Sequence, residues 1–351
     1  MQLLICMLLG AVVAWAMKPR NETNTLGWWR PIAGAVAASL PYVDYFLLFA
    51  PENIQQAYMQ GLTWSLILAP ILAMASALVF AILARGSWHD FSRISILAYL
   101  VSLLLAVMTT RGVPIFAPFT YWRAALDILH PFDWGIFSIF TMVVLLCCFI
   151  RGYQRDIARA GLALTVVYIT VVVTFSNKAQ KFGEEYAEAF GLSVVHVYAL
   201  PQPISPLNWR VMVETEDQRL HDTLINLGNK EIEETDKHSN RAARIASLYK
   251  PMDMAVWRVY HRFGHKDKAF SKSAFVSMYK ASDQFQFLSR FWVAKDVILY
   301  NSNKCARFID LRREGSRNTQ GNMFMICNEN GGAALYRSDE EGHFSLFEMM
   351  Y

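Results

Sequence analysis

The chain has 351 residues, of which 54% are hydrophobic and 18% charged, with a formal net charge of +4. That length suggests two or three domains. The small net charge and the lack of any long Lys/Arg block argue against a nucleic-acid partner.

The averages conceal a split. Residues 1–176 are dominated by apolar runs, whereas residues 177–351 hold most of the Lys, Arg, Asp and Glu, so a domain boundary is expected near Ser176. A bilayer-spanning helix needs about 20 mostly apolar residues, within a range of about 17–25. Six stretches meet or approach this: 2–17, 31–50, 62–84, 94–110, 132–150 and 157–175. The first is short, and 31–50 carries Pro41 and Asp44. Ala14-Trp15-Ala16 has the small-residue pattern of a signal-peptide cleavage site. No positive charge precedes the apolar core, however, so a retained helix is expected. Residues 111–131 are apolar and aromatic but interrupted by Gly112, Pro114 and Pro118. They read as a loop, either at the interface or shielded between helices. Its aromatic stretch 115–122 reads as interfacial belt rather than a cofactor site.

Orientation follows from the distribution of basic residues. The first, third and fifth connections contain Lys18, Arg20 and Arg30, then Arg85 and Arg93, then Arg151, Arg155 and Arg159. The second and fourth contain only Arg111 and Arg123. Six spans then put the odd connections in the cytoplasm and both the N-terminus and residues 177–351 outside it.

In the polar half, 193–200 and 208–215 have the β-branched and aromatic content of strands, separated by a proline-rich turn. Residues 239–263 read as a helix interrupted at Pro251. Short strands are expected at 291–300, 305–312, 321–327 and 333–337, with Asn330-Gly331 offering hairpin-turn chemistry. The expected fold is therefore a multi-pass α-helical membrane domain, 1–176, followed by an extracytoplasmic α+β domain, 177–351, with a mostly antiparallel sheet.

Five cysteines are present; Cys6, Cys147 and Cys148 lie in apolar runs, and Cys305 and Cys327 alone lie in the polar half. No Cys-x-x-Cys pair offers a zinc or redox motif. Outside the cytoplasm disulfides persist. Cys305 and Cys327 sit on candidate neighbouring strands with a short polar connection between them, so a disulfide between them is expected; two buried free thiols are the alternative.

Ionisable residues at membrane depth are functional candidates by default, and Asp44 is the clearest. It is also near enough to a segment end to reach interfacial water. His261 and His265 have helix-like spacing but no third ligand beside them. There is no Gly-rich phosphate loop and no Gly-x-Ser-x-Gly elbow. With Asp44 as the one clear intramembrane charge, a transporter is disfavoured.

The order of motifs resembles the bacterial membrane-bound metal-dependent hydrolase family of the inner membrane. Matching pieces are Leu8-Leu9-Gly10-Ala11, Leu40-Pro41 with Asp44, Gly61-Leu62-Thr63 with Ser65, and Ala69-Pro70. Gly112-Val113-Pro114, Ala117-Pro118-Phe119 and Ala125-Leu126-Asp127 follow. Ala199-Leu200-Pro201 and Ser205-Pro206-Leu207-Asn208-Trp209-Arg210 complete the series. The resemblance implies an inner-membrane location and a divalent-metal site. The departures fall on that site. Cys6 stands where the family has its first-helix histidine, and Tyr42 replaces the first aspartate of its Pro-Asp-x-Asp turn. Met59 and Trp64 replace two histidines, Gln60 an arginine, and Ser102 and Ala106 a histidine and an aspartate. The family's Asp-Pro falls on His130-Pro131, or alternatively on Phe132-Asp133-Trp134. The expectation is a degenerate site with no cofactor, in a protein that binds or scaffolds, with the lipid bilayer as its partner and no protein partner legible. The alternative is an active hydrolase whose zinc-like metal is held by Asp44, Asp127 and His130.

Overall fold

A computed structural model describes residues 2–19, 27–49, 61–228, 247–265, 267–281, 283–313, 323–329, 332–338 and 344–350. Met59, Gln60, Arg20, the Asn330-Gly331 turn and residues 239–246 of the expected helix lie outside them. The chain forms two compact units, Met1–Lys178 with Leu200–Asn208, and Ala179–Ala199 with Trp209–Tyr351.

The first unit is helical. Its helices are α1 (Gln2–Ala16), α2 (Trp29–Ser39), α3 (Ala69–Leu83), α4 (Trp88–Val107), α5 (Trp134–Phe149) and the start of α6 (Gln154–Ala189). Among the described residues two runs are long and apolar enough to cross a membrane, Trp88–Val107 and Arg151–Ala189, while α1, α3 and α5 are shorter apolar helices. The expected 31–50 span is not one α-helix. α2 ends at Ser39, and Leu40–Phe49 continues as a 3-10 helix. Pro41 accounts for the change, because it lacks an N–H and disfavours α geometry at the preceding residue. Likewise 62–84 begins with a 3-10 turn, Leu62–Trp64, and the α-helix starts only at Ala69, where Pro70 sits in the first turn. Asp133 caps α5, its carboxylate accepting the Ile136 amide at 2.9 Å.

α6 runs 36 residues, about 54 Å at 1.5 Å per residue, well beyond an apolar core of about 30 Å. Expectation stopped this helix at residue 175. Ala179, Glu184, Glu185 and Ala187 are strong helix formers and carry it on. It ends where Gly191 takes φ +60°. There the Leu192 amide bonds to the Ala187 carbonyl (2.9 Å) and the Gly191 amide to that of Glu188 (3.1 Å), a Schellman ending.

Among the described residues the second unit holds two five-stranded sheets. One orders β1 (Val194–Pro201), β2 (Asn208–Thr215), β3 (Arg219–Asn226) and β4 (Lys250–Pro251), with β5 (Arg258–His261) also paired to β3. The C-terminal end of α6 lies on this sheet. A Cβ at Gly183 would stand 2.6 Å from Val197 and 2.8 Å from Val211, so only glycine lets the helix come this close. The expected 239–263 helix is corrected: its described part forms β4, a 3-10 turn at Met252–Met254 and β5. Pro251 breaks the helical pattern, and Val259 and Tyr260 favour the extended strand that pairs with β3.

The other sheet orders β10 (Phe344–Met350), β9 (Gly332–Ser338), β8 (Met323–Glu329), β7 (Asn303–Asp310) and β6 (Trp292–Tyr300), all antiparallel. Helices α7 (Lys268–Ala281) and α8 (Asp283–Leu288) supply Phe275, Met278 and Phe285 to a core with Trp292, Phe308 and Ile326. On this sheet Cys305 lies directly opposite Cys327, with Cα atoms 4.1 Å and sulfurs 2.06 Å apart.

Candidate functional site

The backbones of α1 and α2 approach closely in the first unit because small residues line their contact. A Cβ on Gly10 would lie 2.1 Å from the Gly34 carbonyl oxygen and 2.7 Å from the Ala38 Cβ. That proximity assembles the site. Cys6, one turn before Gly10 on α1, is fully buried, and its Sγ lies 3.5 Å from the Tyr42 hydroxyl. The Ser102 side chain on α4 is its second hydrogen-bond partner. Ser102 in turn donates to the Ala38 carbonyl at 2.8 Å. Trp64 meets the Tyr42 ring edge-on, centroids 4.7 Å apart, and Ala106 is buried one turn beyond Ser102. Five positions that the sequence singled out as replaced metal ligands are thus buried, and Cys6, Tyr42, Trp64 and Ser102 are linked in one contiguous cluster.

Asp44 lies in a polar layer two residues along the 3-10 segment. It accepts from the Thr63 amide, and the Thr63 hydroxyl donates to the Pro41 carbonyl at 2.7 Å. The Tyr99 hydroxyl of α4 donates to the Thr63 carbonyl. Asp44 Oδ2 is buried with no hydrogen-bond partner among the described residues.

Asp127 and His130 lie elsewhere. Asp127 takes φ +54° on a return segment that bonds to the end of α4, with the Leu126 amide 2.8 Å from the Val107 carbonyl. His130 Nδ1 is 2.9 Å from the Phe132 carbonyl. With Gln2, Leu105, Thr109 and Asp133 it lines a cavity of about 10 Å³, room for one water. Asp133 turns to α5 and accepts from the Tyr168 hydroxyl of α6 at 2.8 Å. Gly135 leaves the space for that ring. Asp44, Asp127 and His130 are not gathered: among the described residues no three His, Cys, Asp or Glu side chains converge as a metal site.

In the second unit the His261 and His265 rings stand 4.1 Å apart. Desolvation, then the charges of His265 and Arg219, hold the His261 pKa below the usual imidazole range. Sequence reasoning missed a second arrangement. Tyr186 stacks on Trp257 (3.7 Å between centroids), and its hydroxyl is 3.0 Å from His221 Nδ1. Burial is the main cause that lowers the His221 pKa. Phe182 and Tyr186 at i and i+4 on α6 were the available signal, obscured because the helix was expected to end earlier.

A family model for the YdjM inner membrane protein matches residues 1–180. No curated protein and no solved structure matches the chain. The match spans the helical unit that holds the cluster and more than half of the sequence, and on it the chain belongs to the YdjM inner membrane protein family.

Proposed function

We propose that this is a multi-pass inner-membrane protein that acts by binding or as a scaffold, its hydrolase-type metal site replaced by packed side chains. The convergence of Cys6, Tyr42, Trp64 and Ser102 carries this reading. A divalent cation needs three or four nitrogen, oxygen or sulfur donors around one point. Here a single thiol, a phenol, an indole and a hydroxyl fill the space: the thiol meets the phenol, the hydroxyl bonds to the Ala38 carbonyl, and the indole packs edge-on against the phenol ring.

Outward apolar side chains support several spans. Ile82 on α3, Met142 on α5 and Val166 on α6 are 68%, 59% and 64% exposed, a surface suited to lipid and costly in water. Orientation is supported by two contacts: Lys18 Nζ donates to Gln154 Oε1 at 3.2 Å and Arg159 Nε to the Ala16 carbonyl at 3.1 Å. They bring the basic residues after α1 to the same end of the bundle as those opening α6, as a shared cytoplasmic face requires. Residues 177–351 then lie in the extracytoplasmic space, where the Cys305–Cys327 disulfide is maintained.

The test is metal analysis of detergent-purified protein beside Asp44→Ala. The expected result is substoichiometric zinc in both. About one equivalent of zinc, lost on Asp44→Ala, would instead establish the rebuilt hydrolase with Asp44, Asp127 and His130 as ligands. Reporter fusions after Ser176 that work only in the cytoplasm would reverse the orientation.

A further inference from the structure

The segment between α4 and α5 is a braced loop. The Val113 and Ala124 amides and carbonyls bond reciprocally, both at 3.0 Å, and close residues 114–123 into a hairpin-like tip. Ser65, fully buried, donates its hydroxyl to the Ala117 carbonyl, and the Leu66 amide donates to the Ile115 carbonyl. Val113 and Ala117 are buried beneath the tip, while Phe116, Phe119 and Trp122 point outward at 47%, 85% and 52% exposure.

Two observations say what covers this aromatic surface. The tip is rooted at the end of α4, a helix long and apolar enough to cross a bilayer, through the Leu126 amide and the Val107 carbonyl. The end of a span is the level of the head-group boundary, where Trp and aromatic rings partition. Five of the eight backbone amides in 114–123 are also bonded within the loop. The Ile115, Ala117, Phe119 and Thr120 amides bond within the loop, the Trp122 amide bonds to the Thr120 hydroxyl, and Pro114 and Pro118 carry no N–H. Irregular backbone enters the apolar zone only when its polar groups are satisfied internally.

We infer that residues 114–123 form a membrane-inserted wedge, with Phe119 at its tip in the acyl-chain boundary and Trp122 at head-group level. The wedge rests on the proposal above that α4 spans the bilayer. Its partner is lipid, and because the loop is braced to Ser65 and to α4, it fixes the depth at which this end of the bundle sits.

The experiment uses the full chain in liposomes, with Cys6, Cys147 and Cys148 replaced by alanine and a single environment-sensitive fluorophore attached at Phe119→Cys. Two reference sites accompany it: Leu104→Cys on the outward face of α4 and Leu299→Cys on β6, 54% and 78% exposed. The expected result is a blue-shifted Phe119 probe, quenched by shallow spin-labelled lipid and quenched by aqueous iodide several-fold less than the Leu299 probe. A Phe119 probe that behaves like Leu299 while Leu104 is lipid-quenched overturns the wedge and leaves the span intact. That outcome would point to a protein surface instead. If the Leu104 probe is also iodide-accessible, the span itself fails and the wedge with it. Phe119→Ser, with one exposed side chain changed, supplies a second reading: with the single fluorophore moved to Trp122→Cys, the liposome-reconstituted protein should show weaker quenching by shallow spin-labelled lipid than the same probe beside Phe119, and unchanged quenching counts against the wedge.

Discussion

Cys6 Sγ on α1 sits 3.5 Å from the Tyr42 hydroxyl at the start of the 3-10 segment, 36 residues away, in a fully buried setting. The pair couples α1 to the segment that presents Asp44. If Tyr42 now serves packing, its ring matters more than its hydroxyl. Tyr42→Phe should cost about 1 kcal/mol, the worth of one hydrogen bond. Tyr42→Ala should cost about 3–5 kcal/mol by opening a cavity against Trp64. Thermal unfolding of the detergent-purified variants compares them, and equal losses would show that the hydroxyl is the important group.

Gly10 and Gly34 hold α1 and α2 at backbone contact. Gly10→Val places its side chain on the Gly34 carbonyl and must push the helices apart, at a cost of about 1–3 kcal/mol. The variant should melt earlier than wild type, while Gly152→Val, at a glycine with open space around it, should not.

Arg210 and Asp222 form an ion pair at 3.1 Å with each side chain only 1% exposed. Removing either partner strands the other charge in a site that water does not reach. Asp222→Ala should therefore destabilise the second unit by about 3–5 kcal/mol. Chemical denaturation followed by tryptophan fluorescence, with Trp209 beside the pair in sequence, reads this directly. The double variant Arg210→Met/Asp222→Leu should recover much of the loss.

The Arg307 hydrogen bond, and then its charge, hold the Asp296 pKa below the usual carboxylate range. A folded-state pKa below the unfolded value of about 3.9 means stability that is present above that pH and lost as pH falls through the folded pKa. The wild type should lose this contribution on going from about pH 5 to below pH 3. Asp296→Asn should have a flatter stability profile over the same window. The Asp296 side chain is 40% exposed, so solvent screening keeps the difference small.

Cys305 and Cys327 are paired residue to residue by the β7–β8 register, at a sequence separation of 22. Cross-linking a loop of this size stabilises by about 3 kcal/mol through the unfolded state. Mass spectrometry of unreduced, alkylated protein should find both thiols protected, and Cys305→Ser should lower the melting temperature. Alkylation of both cysteines in wild type would show that the thiols are free.

Composition and period were enough to read a helical N-terminal region followed by antiparallel sheet, and most strands of the second sheet. Each of those is set by residues near one another in the chain: lipid-length apolar runs, β-branched stretches, prolines that end a helix. Local pattern erred where neighbouring signals competed. At 250–261, helix formers outnumbered Pro251, yet the pairing of β5 with β3 satisfied more backbone groups than an isolated, interrupted helix could. Past Ser176 the apolar run ended while the helix continued, because the grip of Gly183 on Val197 and Val211 cannot be seen in a hydropathy profile. The resemblance drawn from the sequence singled out Cys6, Tyr42, Trp64 and Ser102 as substitutes at expected metal-ligand positions. Only the tertiary structure decided that these four touch one another while Asp44 and His130 line different places. Side-chain identity is written in the chain, but convergence depends on how the helices approach: Gly10 meeting Gly34 sets the α1–α2 distance, and Ser102 ties α4 to the Ala38 carbonyl.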